Sequence, residues 1–185
     1  MLTQKGNQVA GNLVGGNYNE NNNYNYRPRG PLDKLYEKLK NETKDDEIAT
    51  EIHDKLQHYC NKLTSGDVRG LEDKLKSANR EDLLIIANHL KQEATMLIMR
   101  TQTSPTAQTI LTYLLTKLYT QFVLHAQPAV MAEKSRIEVD AIISDKVINP
   151  VEEILGDNDL NITPSELLGF IYFLGGNCHV RWDKC

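Results

Sequence analysis

Cysteine is scarce in this chain and poorly placed for pairing. The three thiols, Cys60, Cys178 and Cys185, are an odd number, and the first lies far from the other two. With no export signal at the start, they read as free thiols of a cytoplasmic protein rather than a disulfide framework or a metal set. Long hydrophobic runs are missing too. The longest apolar blocks, around Leu83–Ile86 and Phe170–Leu174, fall far short of the roughly 20 residues of a membrane-spanning helix, so no membrane partner is expected. Met1–Gly16 is polar and glycine-rich and lacks the charged-then-apolar order of a signal peptide. There is no basic excess: 21 lysines and arginines stand against 25 acids, a net charge of −4. That balance argues against a protein whose main task is coating nucleic acid, which enters only as an indirect partner. Catalytic signatures are absent as well. Gly15-Gly16-Asn17 and Gly175-Gly176-Asn177 lack the Lys and Ser/Thr of a phosphate loop, and His53 and His58, five apart on a helix, diverge instead of pairing. No cofactor, no metal and no catalytic residue is predicted.

What is present begins with a short repeat. Residues 6–26, written in fives, align Gly6, Gly11 and Gly16 in one column and Asn7, Asn12, Asn17 and Asn22 in the next, with Val9 and Val14 in a third. Gly-Asn pairs form turns and accept positive φ, and the valines between them can share an apolar side. A small β-solenoid is one reading. It is too short to bury its own valines, because each coil of a solenoid needs neighbours. The segment therefore either stays a disordered Asn/Gly-rich tail or pairs with copies from other chains. Tyr18, Tyr24 and Tyr26 favour the second, since aromatics are scarce in disordered tails. Arg27-Pro28-Arg29-Gly30-Pro31 then reads as a hinge.

From Leu32 onward the apolar spacing is helical. Leu32, Leu35, Tyr36 and Leu39 mark a first helix; Ile48, Ile52, Leu56, Tyr59 and Leu63 a second, ending near Ser65-Gly66; Val68, Leu71 and Leu75 a short third that contains Gly70. Asn79 is the expected cap of a fourth helix through Arg100, with Leu83, Ile86, Leu90, Leu97 and Ile98 along it. Ser104-Pro105 starts a fifth, whose wide stripe runs from Ile110 to Val123 and which Pro128 is expected to close. Ile137–Ile148 is ambiguous between strand and helix, and helix is preferred. Asn149-Pro150 caps a brief helix ending at Gly156. The last helix is the densest apolar block. Thr163, Pro164 and Glu166 form its start as N-cap, first helical residue and capping-box acid. Leu167 to Leu174 leave almost no polar face, so this helix is buried on several sides. Gly175 and Gly176 are expected to end it in the left-handed conformation, with Asn177–Trp182 as an extended tail. The fold class is mostly α: a multi-helix domain over residues 31–185, preceded by a β-like Gly/Asn-rich repeat and hinge over residues 1–30.

Two features of the tail bear on function. Cys178-His179 is the adjacent thiol–imidazole pair that a Cys-His thiol hydrolase would need. Yet neighbours on an extended segment point to opposite faces, so the two do not readily serve each other. Cys178, His179 and Cys185 also lack the second close pair of a zinc site. Arg181 and Trp182 either anchor a partner or close the local core, with the arginine lying over the ring. Val9, Val14, Tyr18, Arg181 and Trp182 are the candidate interaction residues, and Arg27, Arg29 and Arg181 are the ones a nucleic-acid-binding accessory module would use.

The two ends together carry a resemblance. GNQVAGNLVGGNY resembles the lead-in of bacterial conflict proteins. LLGFIYFLGGNCHVRWD resembles the close of the small C-terminal domains of ABC three-component anti-phage systems, in which an SMC/Rad50-like ABC ATPase works with a small middle component and an effector. The family's effectors join a toxic domain to such a helical domain, whereas this chain has no room for a fused effector. The resemblance therefore implies a non-enzymatic adaptor or assembly subunit, a homo-oligomer that links the ATPase to the effector. It implies no catalytic residues.

Overall fold

The computed structural model describes residues 30–41, 50–66 and 68–184; the Gly/Asn repeat, the hinge arginines and Cys185 lie outside them. The described residues are helical, without a strand. In order they form α1 (Pro31–Asn41), α2 (Thr50–Cys60), α3 (Leu71–Ser77), a 3₁₀ turn (Glu81–Leu83), α4 (Leu84–Arg100) and α5 (Pro105–Gln121). A π turn (Phe122–Ala126) leads into α6 (Gln127–Met131), and α7 (Arg136–Ile142) runs through a second π turn (Ile143–Ile148) into α8 (Asn149–Leu155). The last helix is α9 (Pro164–Gly176).

The body is organised around α9. Its start is as the sequence implies: the Thr163 hydroxyl accepts from the Ser165 N–H while Glu166 reaches back to the Thr163 N–H at 2.9 Å, with Pro164 in the first turn. From Leu167 onward its apolar residues are buried on several sides, against α3, α4, α5 and α8. Phe170, Ile171 and Leu174 are at most 1% exposed, each contributing roughly 1.5–3 kcal/mol by burial. α5 supplies the opposing wall through Ile110, Leu111, Leu114, Leu115, Leu118 and Phe122. α1 and α2 pack on α5.

Four local expectations are corrected. Asn79 does not start α4. It sits at φ 55 just past α3, where its N–H and that of Arg80 close back on the carbonyls of Lys76 and Leu75; this is the glycine position of a Schellman ending, filled by asparagine. Gly70 precedes α3 as its N-cap instead of interrupting it. Pro128 does not stop the fifth helix. It follows a π turn by two residues, as Pro150 follows the second, and the chain stays helical through both. A proline ring presses on the carbonyl four residues back and cannot donate to it, and widening that turn to π geometry lets the helix continue.

The fourth correction concerns the glycines. Gly175 and Gly176 lie within α9, and the left-handed residue is Cys178 at φ 70. The N–H groups of Cys178 and His179 return to the carbonyls of Gly175 (3.2 Å) and Leu174 (2.8 Å), a Schellman ending. The glycines serve close approach. A Cβ on Gly169 would meet the Leu90 carbonyl oxygen at 2.7 Å, and one on Gly175 would meet the Trp182 ring at 2.7 Å. The face of α4 against α9 is accordingly Ala87, Leu90, Ala94 and Ile98, while Ile86, expected inside, is 45% exposed.

Candidate functional site

Past α9 the chain folds back in turns instead of running extended, and a buried lysine fixes it. Lys74 falls on the apolar stripe of α3 between Leu71 and Leu75 and is fully buried. Its Nζ donates to the carbonyls of Gly175 (2.9 Å) and Val180 (3.2 Å). The cation thus sits at the negative end of α9 and ties it to the tail. Asn177 clamps the tail to α2, donating from Nδ2 to the Tyr59 carbonyl at 2.9 Å and accepting from the Leu63 N–H at 3.2 Å. Asp183 is buried and held by the Arg69 fork at 2.8 and 3.0 Å.

These clamps press Trp182 into the core at 6% exposure. Its ring meets Phe122 edge to face, centroids 5.6 Å apart, and lies tilted on Tyr172 at 5.7 Å. Beside it opens an apolar cavity of about 290 Å³. Leu75, Leu83, Ile143, Ile148, Leu168, Ile171, Tyr172 and Trp182 line it, with Arg80, Arg136, Asp140 and Ser144 among them. Burial pushes the Tyr172 phenol up. A ladder of charges borders the cavity. Arg136 donates from both Nη atoms to Asp82 at 2.7 Å, lies 3.5 Å from Asp140 through Nε, and Asp140 accepts from Arg80. The Arg136 hydrogen bond holds the Asp82 carboxyl below its ordinary range. Arg136 and Asp140 are an i,i+4 pair on α7, but Arg80–Asp140 and Arg136–Asp82 lie more than fifty residues apart in sequence, so no local pattern could have pointed to those two. Lys74 did leave a signal: a lysine at i+3 within an apolar helical stripe.

Of the expected interaction residues, Val9, Val14 and Tyr18 lie outside the described residues, as do Arg27 and Arg29. Trp182 is a wall of the cavity just described. Arg181 is half-buried and lines a separate polar cleft with Lys74, Gln127, Cys178 and His179. Within that cleft the thiol and the imidazole have different partners. Cys178 Sγ lies 3.4 Å from the Arg69 carbonyl as a donor. The His179 ring stands among His58, Tyr59 and Tyr119, with centroids 5.2, 5.5 and 6.4 Å away. Burial, and secondarily His58, lowers the His179 pKa, and its buried Nε2 has no hydrogen-bond partner among the described residues. Burial raises the Cys60 thiol pKa. No group of three or more metal-ligating side chains occurs among the described residues, and no helix among them is long and apolar enough to cross a membrane.

The family described as C-terminal domain 9 of the ABC-three component (ABC-3C) systems matches residues 70–182, more than half of the chain. The matched stretch runs from the N-cap of α3 to Trp182 and so contains α9, the cavity and its charged border. No curated protein and no solved structure matches.

Proposed function

Because the chain belongs to the family of C-terminal domain 9 of the ABC-three component systems, we propose that it serves as a non-enzymatic adaptor or assembly subunit of a bacterial anti-phage complex. In this reading it oligomerises and links an SMC/Rad50-like ABC ATPase to an effector. One observation carries the proposal: the family match covers α3 through α9 and on to Trp182, the part of the body that packs around α9. A domain shared among multi-component systems and carried here as a packed unit is suited to holding components together. The tail supports the same reading. Its buried anchors, Lys74, Asp183 and Trp182, set one rigid face, and rigid faces lower the ordering cost of association.

The test is co-purification. The tagged full chain, co-expressed with the ABC ATPase and the effector encoded beside it, should retain both, and omitting it should separate them. An ATPase–effector complex that assembles without this chain would sink the adaptor. Cys178→Ser separates the enzymatic alternative: defence against phage should persist in the folded variant, and abolished defence with intact assembly would favour a thiol hydrolase. Oligomerisation is assigned to the repeat around Val9, Val14 and Tyr18. Deleting residues 1–30 should leave a folded helical body of lower mass by light scattering. Equal order in both chains would make the repeat a passive tail.

A further inference from the structure

The cavity beside Trp182 differs between floor and mouth. Its floor is made of residues the fold has already buried: Leu75, Ile143, Ile171, Tyr172 and Trp182 are at most 6% exposed. Among the residues that line it, Arg136 and Ser144 are the exposed ones and mark the mouth. The space is therefore a pit reaching into the core. Left unfilled, such a gap costs stability, because its walls lose contact partners. Ile143, Ser144 and Ile148 come from the second π turn. A π turn carries more residues than the α turn it replaces, and such turns are frequent at functional sites.

The charges at the border cancel. Asp82 takes both Nη atoms of Arg136, whose Nε lies on Asp140, and Asp140 accepts from Arg80. Two cations thus face two carboxylates, and an ion entering the apolar space would find no counter-charge to offset its lost hydration. One polar group is left for an occupant. The Tyr172 hydroxyl makes no hydrogen bond to another described residue. Nor is it among the polar atoms sealed inside the core without a partner, so it opens on the cavity that its ring lines. Burial raises its pKa, which keeps it a neutral donor. The volume, about 290 Å³, sets the size. It is about twice the roughly 150 Å³ apolar cavity that takes up benzene, and it suits two fused rings.

We infer that this cavity is a binding site for a small uncharged aromatic molecule that packs against the Tyr172 and Trp182 rings and accepts a hydrogen bond from the Tyr172 hydroxyl. The inference goes beyond the adaptor reading and does not rest on it. It is measured on the full chain alone, so a failed co-purification leaves it untouched.

Trp182, the single tryptophan, reports on the site. The probes are 2-naphthol, 2-naphthoate and 2-naphthylmethylammonium, alike in ring size and different in charge. By calorimetry 2-naphthol should bind and change the Trp182 emission, and both ions should bind about tenfold more weakly or less still. Tyr172→Phe keeps the ring against Trp182 and should weaken 2-naphthol about fivefold, the size of one neutral hydrogen bond, while naphthalene binds as before. Ser144→Phe closes the mouth from an exposed position and should weaken 2-naphthol about tenfold or more. Melts of both variants confirm the fold. No 2-naphthol binding up to its solubility limit, or ions held as tightly as 2-naphthol, overturns the site. Unchanged 2-naphthol binding in both folded variants puts the probe elsewhere and overturns it too. If acetyl-leucinamide displaces 2-naphthol at equal concentration, the cavity takes a partner protein's side chain and the small-molecule site is withdrawn.

Discussion

Lys74 and His179 show how single residues set the tail. Lys74 spends its ammonium on two backbone carbonyls in a fully buried place. Lys74→Met keeps the length of the side chain but leaves those carbonyls without their donor, which should cost about 1–3 kcal/mol. Urea melts of the two proteins check it, and a stability equal to wild type would mean the carbonyls find water. His179 gives a pH prediction. Its pKa is lowered in the folded protein, first by burial and then by His58. The unfolded chain takes up that proton near the ordinary histidine value of about 6.5, whereas the native state holds it off until lower pH. The unfolded state thus binds more protons in that window. Stability is complete above it and falls as pH drops through the ordinary value toward the lowered native one. Thermal melts at stepwise lower pH should show this loss, and His179→Phe, which keeps an aromatic ring between Tyr59 and Tyr119, should flatten it. An equally steep loss in the variant would assign the effect to other groups. The positive-φ residues Asn79, Glu133 and Cys178 make a related point: each ends a helix at a position usually given to glycine. A reading that looks for glycine ends α9 early, at Gly175-Gly176, and takes Asn79 for the cap of the next helix instead of the end of α3.

At the level of elements, the α4–α9 pair depends on one missing side chain. With Ala87 and Ala94 on one helix and Gly169 on the other, the axes come close enough for the Gly169 Cα to lie against the Leu90 carbonyl. Gly169→Ala would place a methyl 2.7 Å from that oxygen. Backbone cannot swing aside as a flexible side chain can, so the helices must part, at a cost of about 1–3 kcal/mol. A chemical melt of the variant measures it, and a change within error of zero would show that α4 slides freely on α9. This pairing also marks the limit of what the sequence discloses. Helix existence was legible nearly everywhere, because stripes such as Leu32-Leu35-Tyr36 and Ile110 to Phe122 repeat with helical period and because Ser104-Pro105 and Thr163-Pro164 announce their own starts. The buried stripe of α4 was less so. Reading its bulky residues inward put Ile86 inside, whereas alanine, with little hydrophobic weight of its own, is what α9 requires there. Pro128 misled for a different reason. Proline ends a helix in isolation, and packing on the core carried the chain through a π turn at Pro128 and Pro150. The cavity and the ties across its border were illegible, since Arg80 and Asp82 meet Asp140 and Arg136 only after the segment between α3 and α4 has packed on α7.

On the scale of the whole molecule, Trp182 joins the fold to the proposed contact. Its ring fills the space that Gly175 leaves open, rests on Phe122 from α5's continuation and on Tyr172 from α9, and forms one wall of the cavity. Removing it affects both roles, so the two must be separated. Trp182→Ala should cost about 3–5 kcal/mol of folding stability, the range for a buried aromatic. Trp182→Phe should cost less, since a smaller ring still meets Phe122 and Tyr172. Gly175→Ala attacks the same contact from the other side, because its methyl would lie 2.7 Å from the ring. In a double-mutant cycle the alanine at 175 should destabilise the wild-type chain by about 1–3 kcal/mol and the Trp182→Ala chain much less, because the vacated space accepts the methyl. Strict additivity would mean that the ring and the glycine do not share that space, and the packing account of the tail would fail. Partner capture by Trp182→Phe then isolates the second role. A variant that melts near wild type and still loses the ATPase or the effector places Trp182 at the contact. One that melts near wild type and captures both assigns the tryptophan to the core alone.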